Sequence, residues 1–403
     1  MSPQLALYQW QHTLRRHLPH LSQPQATVLA LWSLGMVLAR SCGQTSVVAV
    51  LAGLLGHKPD ALRQRLREFY QEPQAKAGAK RQAIHVSACF APLLAWILSW
   101  WQAQQIALAV DATTLGDRFY VLCVSVLYRG CAIPVAWTVL EAEQKHAWRK
   151  EWLRMLRQLR THLPPKTCVI VLADRGLYAR WLFRRIVRLG WHPLLRVNNQ
   201  GGFRPAKQRG FRPMHTYVPR PGTTFAGAGT AFSTQDRRLE CTLLACWQEG
   251  CQDPWLLLTD LPPQAADACW YGLRAWIEQG FKIIKRAGWQ WHKTRMSDPK
   301  RVERLWLGVA VATLWLLSVG AEADAGIIDG TLPEVPVRSL RSSSGRHLRL
   351  VSVFRQGWIR LLMALLSQQS LPEGRFVPEP WPKSLREAKA AQPPPKTHQQ
   401  RAA

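Results

Sequence analysis

Glu278 stands in the stretch Tyr271-Gly-Leu-Arg-Ala-Trp-Ile-Glu-Gln-Gly-Phe-Lys-Ile-Ile-Lys285, one carboxylate among three cations. At about 100° per residue the spacing predicts a helix on which Tyr271, Arg274, Glu278 and Lys285 fall within about 60° of one another, with Lys282 on the same side. Leu273, Trp276, Ile277, Gly280 and Ile284 fill the other side. The helix is therefore amphipathic, docking one face and presenting the other. A solvated charged face explains that polarity as well as a site does.

Two more acids stand where chemistry is often kept. Ile106–Asp111 reads as an apolar strand ending in an acid, and Cys168–Asp174 as a second. Strands that end this way put carboxylates at one edge of a sheet, where α/β proteins build their sites. If the helix bearing Glu278 crosses that edge, Asp111, Asp174 and Glu278 converge as three hard oxygen ligands. Such a set suits two Mg²⁺ or Mn²⁺ ions, which activate a water or 3′-hydroxyl and stabilise the leaving oxygen of a phosphodiester. Tyr271, Arg274 and Lys285 would then hold the neighbouring phosphates. A strand-end aspartate also serves as a turn or helix cap, and that reading stays open for each acid. Glu143 and His146, near the same expected edge, read as a solvated turn and a cap.

The elements that must position these residues follow from periodicity. Residues 1 to about 100 read as helices, including apolar runs at Ala26–Leu38 and Ser46–Gly56. The pair around His57-Lys58-Pro59 reads as a helix-turn-helix, with Asp60 capping the second helix and Arg63, Arg65 and Arg67 available to DNA. An ordinary basic helical hairpin explains it equally. Strands are expected at Phe119–Tyr128 and Ala132–Leu140 about an Arg129-Gly130 turn, a helix at His146–His162, a basic helix at Leu177–Leu189 and a strand at Pro193–Val197. A β-rich insertion is expected at about residues 198–262, with strands near Arg238–Gln248 and Trp255–Thr259. Long helices follow at Pro299–Val319 and Val351–Leu366, then a disordered end from Pro372. The expected organisation is a helical N-terminal DNA-binding domain (1–100), a mixed α/β core (101–320) and a helical C-terminal region (321–403).

Composition narrows the partners. Lys and Arg outnumber Asp and Glu 53 to 25, a net charge of +28 spread along the chain, which points to a polyanion, above all nucleic acid. No basic amphipathic membrane-lying helix is expected. The apolar run Leu305–Gly320 is shorter than the ~20 residues of a spanning helix, so a buried core helix is expected. The first residues lack the basic-then-apolar pattern of a signal peptide. Nine cysteines without CxxC or zinc-type spacing read as reduced, buried thiols, and together these features point to a cytoplasmic protein.

On these residues the sequence resembles the DDE transposases of the IS4 type, from bacterial insertion sequences. Tyr271-x2-Arg274-x3-Glu278-x6-Lys285 matches that family's Y-R-E-K signature in every residue and spacing. Asp111-Ala112-Thr113 matches its first-aspartate motif, and Asp174-x-Gly176-x-Tyr178 its second. The resemblance implies an RNase H-like catalytic core over about residues 100–320, with a β-rich insertion filling the 104 positions between Asp174 and Glu278. It implies that Asp111, Asp174 and Glu278 coordinate two Mg²⁺ or Mn²⁺ ions and that Tyr271, Arg274 and Lys285 contact phosphates at the transposon end. It further implies double-stranded DNA partners, both transposon ends and target, a homodimer in the synaptic complex, action at the bacterial nucleoid, and a hairpin intermediate in which a flipped base stacks on a Trp. Trp247, Trp255, Trp276 and Trp289 are candidates for that role, and none is singled out. A catalytically inactive or domesticated DNA-binding protein, or a nuclease on the same fold, would carry the same charge and fold.

Overall fold

The computed structural model of the chain describes residues 2–78, 82–142, 148–198, 201–326, 339–341, 347–349 and 351–382. Glu143 and His146 lie outside the described residues. Contacts divide the chain into two compact units. The first holds Met1–Ala173, Arg185–Trp191 and Arg274–Glu379; the second holds Asp174–Arg184, His192–Leu273 and Pro380–Ala403.

The first unit begins with helices α1 (Pro3–His17), α2 (Gln23–Ala39), α3 (Gln44–Leu55), α4 (Pro59–Tyr70) and α5 (Phe90–Leu98). Their starts follow from local chemistry. The Ser2 hydroxyl accepts from the Leu5 N–H, and Ser22 and Gln25 form a reciprocal capping box. Asp60 is not the cap of α4: Lys58 holds that position without a side-chain bond, and Asp60 in the first turn pairs with Arg63 at 2.6 Å.

Three strands follow, β1 (Gln105–Leu115), β2 (Phe119–Tyr128) and β3 (Cys131–Glu141). The β2–β3 hairpin closes on Arg129 and Gly130, both with positive φ, as a two-residue turn matched to strand twist requires. Helix α6 (Trp148–Arg160) leads to β4 (Cys168–Ala173), parallel to β1, and the strand order is β3-β2-β1-β4. Strands β2 and β3 are buried along almost their whole length because helices cover the sheet.

The later helices of this unit are α8 (Ala275–Lys282), α9 (Pro299–Asp324) and α10 (Val353–Leu366). Asp298 starts α9, accepting from the N–H groups of Lys300 and Arg301, with Pro299 in the first turn. Helix α9 is long and apolar enough to cross a membrane, but 94% of that apolar window is buried inside the protein, where it packs on β3, α2 and α10. A Cβ on Gly357 would stand 1.8 Å from the Leu316 carbonyl oxygen, and one on Gly320 1.9 Å from that of Val353. Only glycines let α9 and α10 cross this closely.

By their contacts the N-terminal helices fall in the first unit, where α2 and α4 pack directly on α9. Residues 372–382 are not disordered either. Phe376 is buried, Tyr128 donates its hydroxyl to the Val377 carbonyl, and the Trp315 indole donates to Pro372. Those bonds fix a segment that lacks any helix or strand pattern.

The second unit is β-rich. Strands β5 (His192–Arg196), β6 (Gly202–Pro205), β7 (Arg212–Pro213), β8 (Thr224–Ala231), β9 (Leu239–Cys246) and β10 (Trp255–Thr259) run in the order β5-β10-β9-β8-β6-β7, every pairing antiparallel. Helix α7 (Arg180–Arg188) contributes to both units.

Candidate active site

Asp111 does not end its strand. The parallel ladder of β1 with β4 closes at Ala109↔Leu172, but the antiparallel ladder with β2 runs on to Leu115↔Phe119. Asp111 sits two residues beyond the last pair with β4, where one neighbour leaves and the other remains. β-branched Thr113 and Thr114 carry the strand onward into the hairpin. Asp174 stands two residues beyond Leu172, directly after β4, and opens the second unit. There its Oδ1 accepts the Leu177 N–H at 3.0 Å, the capping role that a strand-end aspartate commonly takes.

Arg274 is the cap residue before α8 and Glu278 lies in its first turn, four residues on and so about one helical turn away. Arg274 draws two carboxylates together. Its Nη2 lies 2.8 Å from Asp111 Oδ2 and its Nη1 lies 3.0 Å from Glu278 Oε1. Asp111 Oδ1 accepts the Ala112 N–H at 2.8 Å. Arg274 and Asp111 are largely buried, with side chains 14% and 13% exposed, whereas Glu278 is 57% exposed. The bridge is therefore sheltered at one end and open to solvent at the other. Gly280 lets α8 lie directly against β3: a Cβ there would stand 2.9 Å from the Ala132 Cβ.

The stretch from Tyr271 to Lys285 is not one continuous α-helix. Ala268–Arg274 is a 3₁₀ segment, Ala275–Lys282 is α-helical and Ile283–Ala287 is a π-turn. Each change of pitch breaks the constant 100° step, so the expected single polar face does not form. Tyr271 is 5% exposed, sits edge-on to Trp255 at 5.3 Å and belongs to the second unit. Lys282 is exposed. Lys285 lies on the π-turn, half-buried, and burial together with the Arg286 charge lowers its pKa below the usual lysine range. π-turns within helices recur at functional sites. On the apolar side Leu273, Ile277, Gly280 and Ile284 are buried as expected, and Trp276 is half-buried.

Of the other tryptophans, Trp289 is core, its indole donating to Thr313 Oγ1, and is closed to a base. Trp247 donates its indole N–H to the Cys251 carbonyl. The N-terminal arginines do not share a face. Arg63 and Arg67 stand one turn apart on α4, while Arg65 turns into a different cleft beside Ser22, Gln25 and Lys76.

Arg118, at the tip of the β1–β2 hairpin, was not singled out by spacing. Its guanidinium donates to the Met296 and Thr294 carbonyls, both at 2.8 Å, tying down the chain that follows the π-turn. Lys293 and Arg295 on that segment were missed as well. The one sequence signal for them is that basic residues continue past Lys285, at Arg286, Lys293 and Arg295.

Among the described residues no group of three or more His, Cys, Asp or Glu is close enough to hold a metal. The donor chemistry still suits one. Asp111 and Glu278 already meet around a single positive group, and carboxylate oxygens are what Mg²⁺ and Mn²⁺ take.

A mixed α/β protein with strand and helix carboxylates gathered around one cation defines the class. The family follows from comparison: residues 104–315, more than half of the chain, match the Transposase DDE domain. The chain belongs to the DDE transposase family. No curated protein matches it. Among solved structures it is similar to the piggyBac transposase in a cryo-EM synaptic complex with hairpin DNA, at 10% identity, covering 86% of this chain and 88% of that one, with a TM-score of 0.32. A superposition that loose fixes no residue-by-residue correspondence.

Proposed function

We propose that the chain is the transposase of an IS4-type insertion sequence, built on an RNase H-like core, which cuts the ends of its element and joins their 3′-hydroxyls to target DNA. The observation that carries this reading is the Arg274 bridge, which reaches Asp111 across 163 positions of sequence while holding Glu278 at its other nitrogen.

In this reading Asp111, Asp174 and Glu278 hold two Mg²⁺ or Mn²⁺ ions. When bound, those ions activate the attacking hydroxyl and stabilise the leaving oxygen. The protein's own groups do the rest. Asp111 is oriented by the Ala112 N–H and its strand position is fixed by β2, so that carboxylate is preorganised. Arg274, charged at every working pH, offers a planar fork that fits a phosphate as well as it fits a carboxylate. Lys285 supplies a second cation one element further along. Tyr271 enters as a DNA contact on the resemblance alone, and Lys282 as an exposed cation on α8. Two ends held by a dimer, and a hairpin between cutting and joining, complete the proposal.

The test is the carboxylates. Asp111→Asn, Asp174→Asn and Glu278→Gln are each expected to lower strand cleavage and joining by at least about 10³-fold while leaving duplex binding within a few-fold. Full cleavage in Mg²⁺ by any one of them removes that residue from the site. Joining of pre-cleaved ends by the wild type separates a transposase from a nuclease, which would nick and stop.

A further inference from the structure

The chain that leaves the π-turn folds back over the N-terminal helices and leaves a cleft of about 450 Å³. Four cations line it: Arg67 from α4, Lys293 and Arg295 from the connecting segment, and Arg301 from the first turn of α9. Asp298 is the one carboxylate in the lining. It is spent locally, capping α9 through the Lys300 and Arg301 N–H groups at 2.8 and 3.1 Å and lying 3.6 Å from Arg301 Nε. Arg67, Lys293 and Arg295 are exposed and make no ion pair with a described residue. Arg63, one turn before Arg67, is already paired with Asp60.

We propose that this cleft between α4 and residues 290–298 is a binding site for the phosphodiester backbone of duplex DNA, separate from the contacts at Arg274 and Lys285. Uncompensated cations on a concave wall focus potential and favour an anion with repeated charges. The wall is also built. The segment carrying Lys293 and Arg295 is held by Arg118 at two carbonyls, by the Cys42 N–H to the Trp289 carbonyl at 2.7 Å, and by Gln290 to the Arg40 carbonyl at 3.3 Å. Its cations are thus presented on an anchored loop.

The cleft offers little for reading bases. Trp32 is buried with its indole given to the Leu66 carbonyl, and the Tyr70 hydroxyl is given to Gln44 at 3.1 Å. Charge without a stacking platform predicts backbone contact indifferent to sequence. Position supplies the route: His292, next to Lys293, bonds its ring Nδ1 to the Lys285 carbonyl, so the two cations lie on one fixed segment. A strand held at Lys285 can continue past Lys293 toward Arg67.

The inference rests on the reading of the chain as a DNA-acting protein, and the experiment keeps the two apart. Binding of the full chain to a random-sequence duplex of about 30 base pairs is measured by anisotropy across a salt series, for the wild type, Arg67→Ala/Arg295→Ala and Asp111→Asn/Glu278→Gln. The cleft variant is expected to lower the slope of log K against log salt by about two, one for each lost phosphate contact, and to weaken binding at least tenfold at low salt. The carboxylate variant, which loses no cation, is expected not to lower the slope. An unchanged slope in the cleft variant overturns the site while leaving the DNA reading intact. A wild type with no salt-dependent affinity for the duplex overturns both. The charge-preserving Arg67→Lys/Arg295→Lys is expected to restore the slope, which a folding defect would not allow. On a second probe carrying the DNA that flanks the gene, an equal loss is expected of contact with the backbone alone, and a loss confined to the flank overturns the sequence-indifferent site.

Discussion

Arg274 occupies the place in this site where a metal-binding reading wants a cation. A guanidinium between two carboxylates competes with any ion that needs the same oxygens, because both gain from the same negative potential. Arg274→Ala is therefore expected to raise Mn²⁺ affinity in the absence of DNA by about tenfold, or about 1.4 kcal/mol. Titration calorimetry or the loss of free Mn²⁺ signal checks it, and equal or weaker binding would remove the competition. Lys285 gives a pH prediction. Burial and Arg286 depress its pKa, so its charge is lost at a lower pH than an ordinary lysine's. Only the protonated form attracts phosphate, so DNA affinity should fall as pH rises through that depressed value. Lys285→Arg, which stays charged, should flatten the decline in an anisotropy series run at alkaline pH. The acids and these cations could be read from the sequence by type and spacing. Asp174 was legible both as ligand and as cap, and the cap is the role its Leu177 bond displays.

At the scale of elements, the hairpin β2–β3 and helix α9 follow from local pattern: β2 has the limits its apolar run predicts, and the turn residues are the pair with positive φ. The signature stretch did not follow, because its pitch changes twice within fifteen residues and periodicity assumes one pitch. Crossings between helices were equally invisible. Two glycines give opposite predictions from that cause. Gly357→Ala sets a methyl into the Leu316 carbonyl and should cost about 3 kcal/mol, visible as a lowered thermal midpoint. Gly53→Ala, inside α3 with nothing within 4 Å, should instead stabilise by about 0.5–1 kcal/mol. Equal effects from the two would mean that α9 and α10 do not cross as described.

For the whole molecule, a net charge of +28 is tolerable only if its few acids are well used. Asp324, at the end of α9, shows how: it pairs with Arg129 and lies 2.8 Å from Arg349, while Arg349 also pairs with Glu379. Burial alone would raise the Asp324 pKa, but Arg349 and Arg129 outweigh it and hold the carboxyl below the usual aspartate range. A depressed carboxyl adds stability above its unfolded pKa, and that stability is lost as pH falls through the folded value. Asp324→Asn should therefore be less stable than wild type by about 3 kcal/mol near neutrality, since it leaves the buried Arg129 without its carboxylate while Arg349 keeps Glu379. The gap should narrow as pH falls below the ordinary aspartate value of about 4, where the unfolded chain takes up a proton first, and close as pH falls through the lower folded value. Denaturant melts at the two pH values read this directly, and a gap that widens in acid would contradict the network.

By itself the sequence determined which residues carry charge and which strands and helices form where one periodicity runs unbroken. Those features depend on neighbours within a turn or a hairpin. Tertiary structure decided the rest: that Arg274 reaches Asp111, that Tyr271 turns into an apolar contact with Trp255, and that Arg67 faces Lys293 and Arg295 across a cleft. Each joins residues far apart in the chain through packing that no local period records, because a side chain's partner is set by which backbones can approach, here through Gly280, Gly320 and Gly357.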